Sequence, residues 1–155
     1  MNGAGTAGAG DQHQQHMRTA LKMAERSLAA GGAPVGACLI RDGQIVASAG
    51  NAVVANLDVT AHAEIELIRQ ACRELKTLSL ADCQLYVTVQ PCAMCLAACH
   101  YAGISDIYFG AGIESMHSVT GNELPVTETG AGPVPTGGIL AHECEALIQR
   151  WSETR

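Results

Sequence analysis

Residues 83–102 read CQLYVTVQPCAMCLAACHYA, with Cys83 to Val89 rich in β-branched and aromatic residues, Pro91 just beyond, and Cys92 to Ala102 made of residues that favour helix. Such a run predicts a strand that breaks sharply into a helix, because proline cannot continue a helix backward and restricts the residue before it. Cys92 and Cys95 stand at i and i+3, so both sulfurs lie on one face of the first helical turn, where the positive helix end favours thiolates. Asp106 to Phe109 reads as another buried strand. Strands alternating with helices predict an α/β fold, a layered sheet with helices on both faces.

Upstream, Met17, Ala20, Leu21, Ala24 and Leu28 recur at helical spacing between about Gln12 and Ala30, and Gly31 and Gly32 end the run. Val35 to Ile40 and Gln44 to Ala49 are short apolar runs separated by Arg41, Asp42 and Gly43; Asp-Gly is a strong hairpin signal, so the two runs predict antiparallel strands. Asn51 to Thr60 reads as polar loop, and Ile65, Leu67, Ile68, Ala71 and Cys72 mark a second helix up to about Leu75. Downstream, Gly110 to Gly138 is rich in Gly, Pro, Thr and Glu and reads mostly as loop, with one short strand near Pro133 to Pro135. Gly138 to Trp151 predicts a terminal helix.

The 155 residues suit one core rather than two, so a single domain over residues 11–155 is expected behind a flexible Gly/Ala-rich tail at 1–10. Gly3, Gly5 and Gly8 formally match GxGxxG, but no strand precedes them, which argues against a dinucleotide site. Hydrophobic residues make up 48% of the chain and charged residues 15%, a composition that homo-oligomerisation would help to cover. The net charge is −6 and the nine Lys and Arg are scattered singly, so no basic stripe marks a nucleic-acid footprint. The first ten residues lack the charged start and apolar core of a secretory signal, and no apolar run reaches the length of a membrane span. Seven cysteines in such a chain point to a reducing cytoplasm, where thiols stay free or bind metal.

A second segment, Ala61-His62-Ala63-Glu64-Ile65, opens the second helix. A catalytic zinc takes three N or S ligands in a tetrahedral arrangement and leaves the fourth position to water, a count that His62, Cys92 and Cys95 meet. Glu64, two residues after His62, would project near such a metal without ligating it and would act as general base and acid, because zinc lowers the pKa of water to about 7. The pattern H-x-E followed by P-C-x-x-C is the signature of zinc deaminases acting on nucleobases. A lone CxxC also builds structural zinc half-sites and redox pairs; here the single additional histidine and the following Glu64 favour catalysis.

On these motifs the chain resembles the cytidine deaminase-like superfamily, in the branch of tRNA adenosine deaminases, guanine deaminases and fungal-type cytosine deaminases. The likeness runs from about Met17 to Trp151 and includes Pro34-Val35-Gly36-Ala37, Asn51, Asp58-Val-Thr-Ala-His-Ala-Glu64, Leu85-Tyr-Val-Thr88 and Gly138-Ile-Leu-Ala-His-Glu-Cys144. The resemblance implies a three-layer α/β/α sandwich with a mixed five-stranded sheet, one Zn2+ per subunit, and assembly as a homodimer or larger oligomer. It further implies that Asn51 hydrogen-bonds the substrate base, that main-chain groups of Ala63 and Cys92 contact its edge, and that Val35 and Val89 sandwich the ring. Gln90 stands where many relatives carry glutamate, and Val59 where proline is common. After Phe109-Gly110-Ala111 the tRNA-editing members usually continue Lys-Thr-Gly, whereas this chain reads Gly112-Ile-Glu-Ser-Met-His-Ser118; with the acidic balance, this weighs against a tRNA substrate.

The expected function is zinc-dependent hydrolytic deamination of a small nucleobase or nucleoside of guanine or cytosine type. The alternatives are adenosine-to-inosine deamination of tRNA and a non-catalytic, zinc-stabilised interaction module. Cys99 lies one turn beyond Cys95 but would close the open position as a fourth ligand, so it reads as packing, as do Cys38, Cys72, Cys83 and Cys144. His13, His16, His100 and His142 read as surface or helix-terminal groups. Glu114 and His117 read as loop residues or cavity lining, and Trp151 as the cover of a site or of a hydrophobic edge.

Overall fold

A computed structural model of the chain describes residues 8–121 and 132–155. Helix α1 spans Ala9–Ala29 and buries Met17, Ala20 and Ala24 along one stripe. Residues 9 and 10, expected in the tail, are thus helical, whereas residues 1–7, with Gly3 and Gly5 of the GxGxxG match, lie outside the described residues. Strands β1 (Gly36–Arg41) and β2 (Gln44–Gly50) pair antiparallel, with Arg41 opposite Gln44. The two residues between them, Asp42 and Gly43, have φ of 51° and 75°, the paired left-handed conformation that a tight hairpin turn requires and that Asp-Gly accepts readily.

The expected loop after β2 contains one short helical turn, α2 (Val53–Asn56), started by the Val53 N–H donating to Asn51 Oδ1 at 3.2 Å. Helix α3 (Ala63–Leu75), strand β3 (Gln84–Val89), helix α4 (Ala93–Ala102) and strand β4 (Asp106–Ala111) follow. The segment from Gly110 to Gly138 is not all loop: Ile113–Thr120 forms helix α5. Its buried Ile113 and Met116 are spaced i and i+3, and Gly121 at φ 69° ends it. Helix α6 (Ala141–Ser152) closes the chain.

The sheet is mixed and runs in the order β2-β1-β3-β4, with β1 antiparallel to both neighbours and β3 parallel to β4. It has four strands among the described residues, not five. Where a fifth would flank β4, one parallel bridge joins Tyr108 to Thr136, with the Thr136 N–H donating to the Ile107 carbonyl and the Phe109 N–H to the Thr136 carbonyl. Pro133 and Pro135 precede Thr136 and have no N–H to offer a ladder, so pairing stops at a single residue.

Every residue of β1 from Gly36 to Ile40 is buried, which requires cover on both faces. Helix α1 lies so close on one face that a Cβ at Gly36 would run into the Ala20 carbonyl and the Ala24 amide. Helix α6 packs on the same face over β4, where a Cβ at Gly110 would meet the Cys144 sulfur. Helices α3 and α4 pack on each other on the opposite face. The result is an α/β/α layering with Leu39, Leu67, Leu85, Val87 and Ile107 fully enclosed.

Under α1, His13 is not a partnerless surface group: its Nδ1 lies 2.6 Å from the Tyr86 hydroxyl, and its ring is tilted by 40° against Tyr108 with the centroids 4.3 Å apart. Cys38, Cys83, Cys99 and Cys144 are buried, Cys72 is half-buried, and all seven cysteines are free thiols. Among the described residues no helix is long and apolar enough to cross a membrane.

Candidate metal centre and its cavity

His62 and Cys92 occupy equivalent places, each the extended N-cap residue of its helix, α3 and α4 respectively, and neither uses its side chain to cap. Their carbonyls accept the first helical bonds, from Glu66 and Leu96, so each side chain is left to turn outward from the helix start. Cys95 follows in the first turn of α4, fully buried. The backbone of His62 is held by its own N–H donating to the Thr60 carbonyl at 2.8 Å. Thr60 is held in turn by Asp58, whose Oδ1 accepts both its N–H and its hydroxyl.

Because α3 and α4 start side by side, the three ligand atoms lie within 4.8 Å of one another. His62 Nδ1 is 3.7 Å from Cys92 Sγ and 3.5 Å from Cys95 Sγ. A tetrahedral zinc with Zn–S of about 2.3 Å and Zn–N of about 2.0–2.1 Å places sulfur and nitrogen ligands about 3.6 Å apart. The observed spacings fall on either side of that value, and two thiols with one imidazole are the donor set zinc prefers, so the site fits one Zn2+. The electrostatics agree. A hydrogen bond from Cys95, assisted by His62, holds the Cys92 thiol down to about 4, while the same bond and burial push Cys95 up. That lowering favours the thiolate form of Cys92, at the N-terminal end of α4.

Glu64 stands in the first turn of α3 and is only 3% exposed. Burial, together with the negative charge of Cys92, pushes its carboxyl up to about 7, in the range where a group both takes and gives protons at neutral pH. Burial raises Cys99 to about 12, which keeps it a neutral packing thiol. It is absent from the cluster of ligand atoms.

A cavity of about 470 Å³ opens at this point, beyond the carboxyl ends of β3 and β4. His62, Glu64 and Cys92 line it together with Val35, Asn51 and Val89. Ala63 and Cys95 are buried behind the wall instead of lining it. Asn51 has its Oδ1 engaged by the Val53 N–H, so its amide hydrogens are what it offers to the cavity.

Sequence reasoning missed several walls. Helix α5 contributes Ile113, Met116 and Thr120, whose i, i+3 apolar spacing before Gly121 was the available signal. Glu114 is exposed, His117 is half-buried, and neither lines the cavity. Trp151 does line it, from the end of α6, with the Arg155 guanidinium 4.6 Å above its ring. Gln90, singled out in the sequence as standing where many relatives carry glutamate, also lines it.

Fold and site together define a zinc-binding α/β protein in which two of the three protein ligands, His62 and Cys92, border a cavity and the third, Cys95, lies buried behind it. Residues 10–111 match the cytidine and deoxycytidylate deaminase zinc-binding region, and the chain belongs to this family. It is 42% identical over 95 residues to the tRNA-specific adenosine deaminase of Aquifex aeolicus, covering 61% of this chain and 63% of that protein. It is 39% identical over 100 residues to the guanine deaminase of Bacillus subtilis, covering 64% of each. The matches thus span just under two thirds of the length of these relatives. The solved structure of the guanine deaminase from Nitrosomonas europaea is similar with a TM-score of 0.83 and 25% identity, over 90% of this chain and 84% of that one.

Proposed function

We propose that the chain is a zinc-dependent hydrolytic deaminase that releases ammonia from a small amino-substituted nucleobase or nucleoside of guanine or cytosine type. The observation that carries this reading is the buried Glu64 carboxyl in the same cavity wall as His62 and Cys92. When bound, Zn2+ supplies a Lewis acid that lets water ionise near neutral pH. Glu64 takes one proton from the attacking water and passes it to a ring nitrogen, then takes the second from the hydroxyl added at the ring carbon and passes it to the amine, which leaves as ammonia as the C–N bond breaks and the carbonyl forms. Val35 and Val89 offer apolar faces for the ring, Asn51 donates to a ring acceptor, and the main chain of Cys92 meets its edge, whereas Ala63, expected beside it, lies behind the wall. A cavity of about 470 Å³ and the net charge of −6 suit a small uncharged ring better than a polyanion. The low charged fraction supports a homodimer, and the seven free thiols support a reducing cytoplasm.

A second reading, deamination of adenosine in tRNA, is favoured by the 42% identity to the Aquifex enzyme. The test is ammonia release by the zinc-loaded chain from guanine, cytosine, their nucleosides and a tRNA anticodon stem-loop. Release from a base or nucleoside is the expected result. Release from the stem-loop alone replaces the first reading with the second, and no release from any of them leaves a zinc-stabilised module without this chemistry.

A further inference from the structure

Gln90 lies between the end of β3 and the ligand Cys92, half-buried in the cavity wall. Its backbone N–H donates to the Ala111 carbonyl at 2.9 Å, which carries the β3–β4 pairing one step further. Its side chain is held as well, because Oε1 accepts the Ile113 N–H, the first amide of α5, at 3.2 Å. A backbone N–H can face only the oxygen of a carboxamide, so this bond fixes which end of the amide is which. Nε2, with two N–H groups, then has no acceptor among the described residues and is not sealed away from the cavity. Asn51 repeats the arrangement: its Oδ1 is taken by the first amide of α2, again leaving the amide hydrogens.

We propose that Gln90 is a specificity-determining residue whose Nε2 donates a hydrogen bond to an acceptor nitrogen of the substrate ring. This inference rests on the reading of the cavity as a site for a nitrogen heterocycle. Glutamate at this position would also accept the Ile113 N–H, yet it would turn lone pairs toward the ring where glutamine turns a donor. The residue type therefore sets the polarity of the wall without altering how the β3–α4 turn is tied to α5. With Asn51, it makes the cavity a reader of acceptor atoms, and a ring lacking the matching acceptor leaves a donor unpaired.

The test measures binding by calorimetry on the zinc-loaded full chain, with guanine, 3-deazaguanine, 7-deazaguanine, cytosine and 3-deazacytosine as probes. Gln90→Glu is expected to keep its melting temperature and its one zinc per chain while binding the preferred ring at least about tenfold more weakly. In the native chain one deaza analogue, the one missing the acceptor that Gln90 meets, should show a similar loss, and Gln90→Glu should weaken that analogue no further. Should Gln90→Glu lose zinc, Gln90→Met supplies the same comparison. Equal affinities in native and variant chains overturn the proposal, as does a uniform loss for every analogue or the absence of ring binding by the native chain. If binding depends on Gln90 but the native chain releases no ammonia, the deamination reading falls while the role of Gln90 stands.

Discussion

Replacing Glu64 by glutamine separates the chemistry of the site from its architecture. The two side chains have nearly the same volume, and Glu64 is 97% enclosed at the start of α3, so the amide must occupy the same space. A buried amide left partly unpaired costs about 1–3 kcal/mol of stability, so the variant should still fold. The ligand atoms of His62, Cys92 and Cys95 are untouched, so zinc should remain at one ion per chain. Turnover is another matter, because an amide cannot accept a proton from water and pass it on. A positioned general acid–base contributes about 10²- to 10⁴-fold, which corresponds to roughly 3–5 kcal/mol of barrier. The assay is single-turnover ammonia release on the substrate identified by the panel, with zinc measured by mass spectrometry on the same sample. A Glu64→Gln protein that keeps its zinc and loses less than tenfold in rate would refute the proton-carrying role. One that loses its zinc would show that Glu64 belongs to the metal site instead.

The remaining predictions concern the metal, the sheet and the thiols. Cys95→Ser replaces a buried zinc-type sulfur by a hydroxyl, and zinc content after dialysis is expected to fall from one per chain to less than a tenth; retention of the metal would remove Cys95 from the ligand set. Chelating zinc from the native chain should lower its melting temperature, since an ion held at 1,000 times its dissociation constant stabilises the folded state by about 4 kcal/mol; an unchanged melting curve would contradict a structural contribution from the metal. Gly36→Ala drives a methyl group into the carbonyl of Ala20, and overpacking of this kind should cost about 1–3 kcal/mol in urea unfolding, whereas a neutral effect would show that α1 can lift off β1. Cys38 and Cys144 have thiols raised by burial from 9.0 to about 12, so each contributes stability that is complete below pH 9 and is lost as pH rises toward 12. At pH 10 that loss is about 1.4 kcal/mol per thiol, and unfolding free energies that match at pH 8 and pH 10 would disprove it.

The cluster of His62, Cys92 and Cys95 and the neighbouring Glu64 were legible in the sequence because their spacing is itself a structural instruction. In both segments the ligand sits where an extended residue turns into a helix, His62 before Ala63–Leu75 and Cys92 before Ala93–Ala102, a position set by local backbone geometry and by Pro91. The Asp42-Gly43 hairpin was readable for the same reason, since its left-handed pair of residues depends on nothing distant. The elements that eluded sequence reasoning depend on packing. Helix α5 is eight residues long and gains its place from Ile113 and Met116 meeting the core, so its short periodicity was hidden among Ser, His and Thr. The fifth strand was foreseen from the family likeness, yet the local chemistry of Pro133 and Pro135 reduces it to one bridge beside β4.

By itself, then, the sequence determined which side chains gather in the candidate metal cluster and which carboxyl stands beside them, because a fixed spacing at a helix start aims those side chains whatever lies around them. Tertiary structure alone decided how far apart the ligands sit, how deeply Glu64 is enclosed, and which residues of α5 and of the α6 end close the cavity. Those quantities follow from α3 and α4 starting side by side under one sheet, and from contacts between residues remote in the chain such as Gln90 and Ile113, which no local pattern encodes.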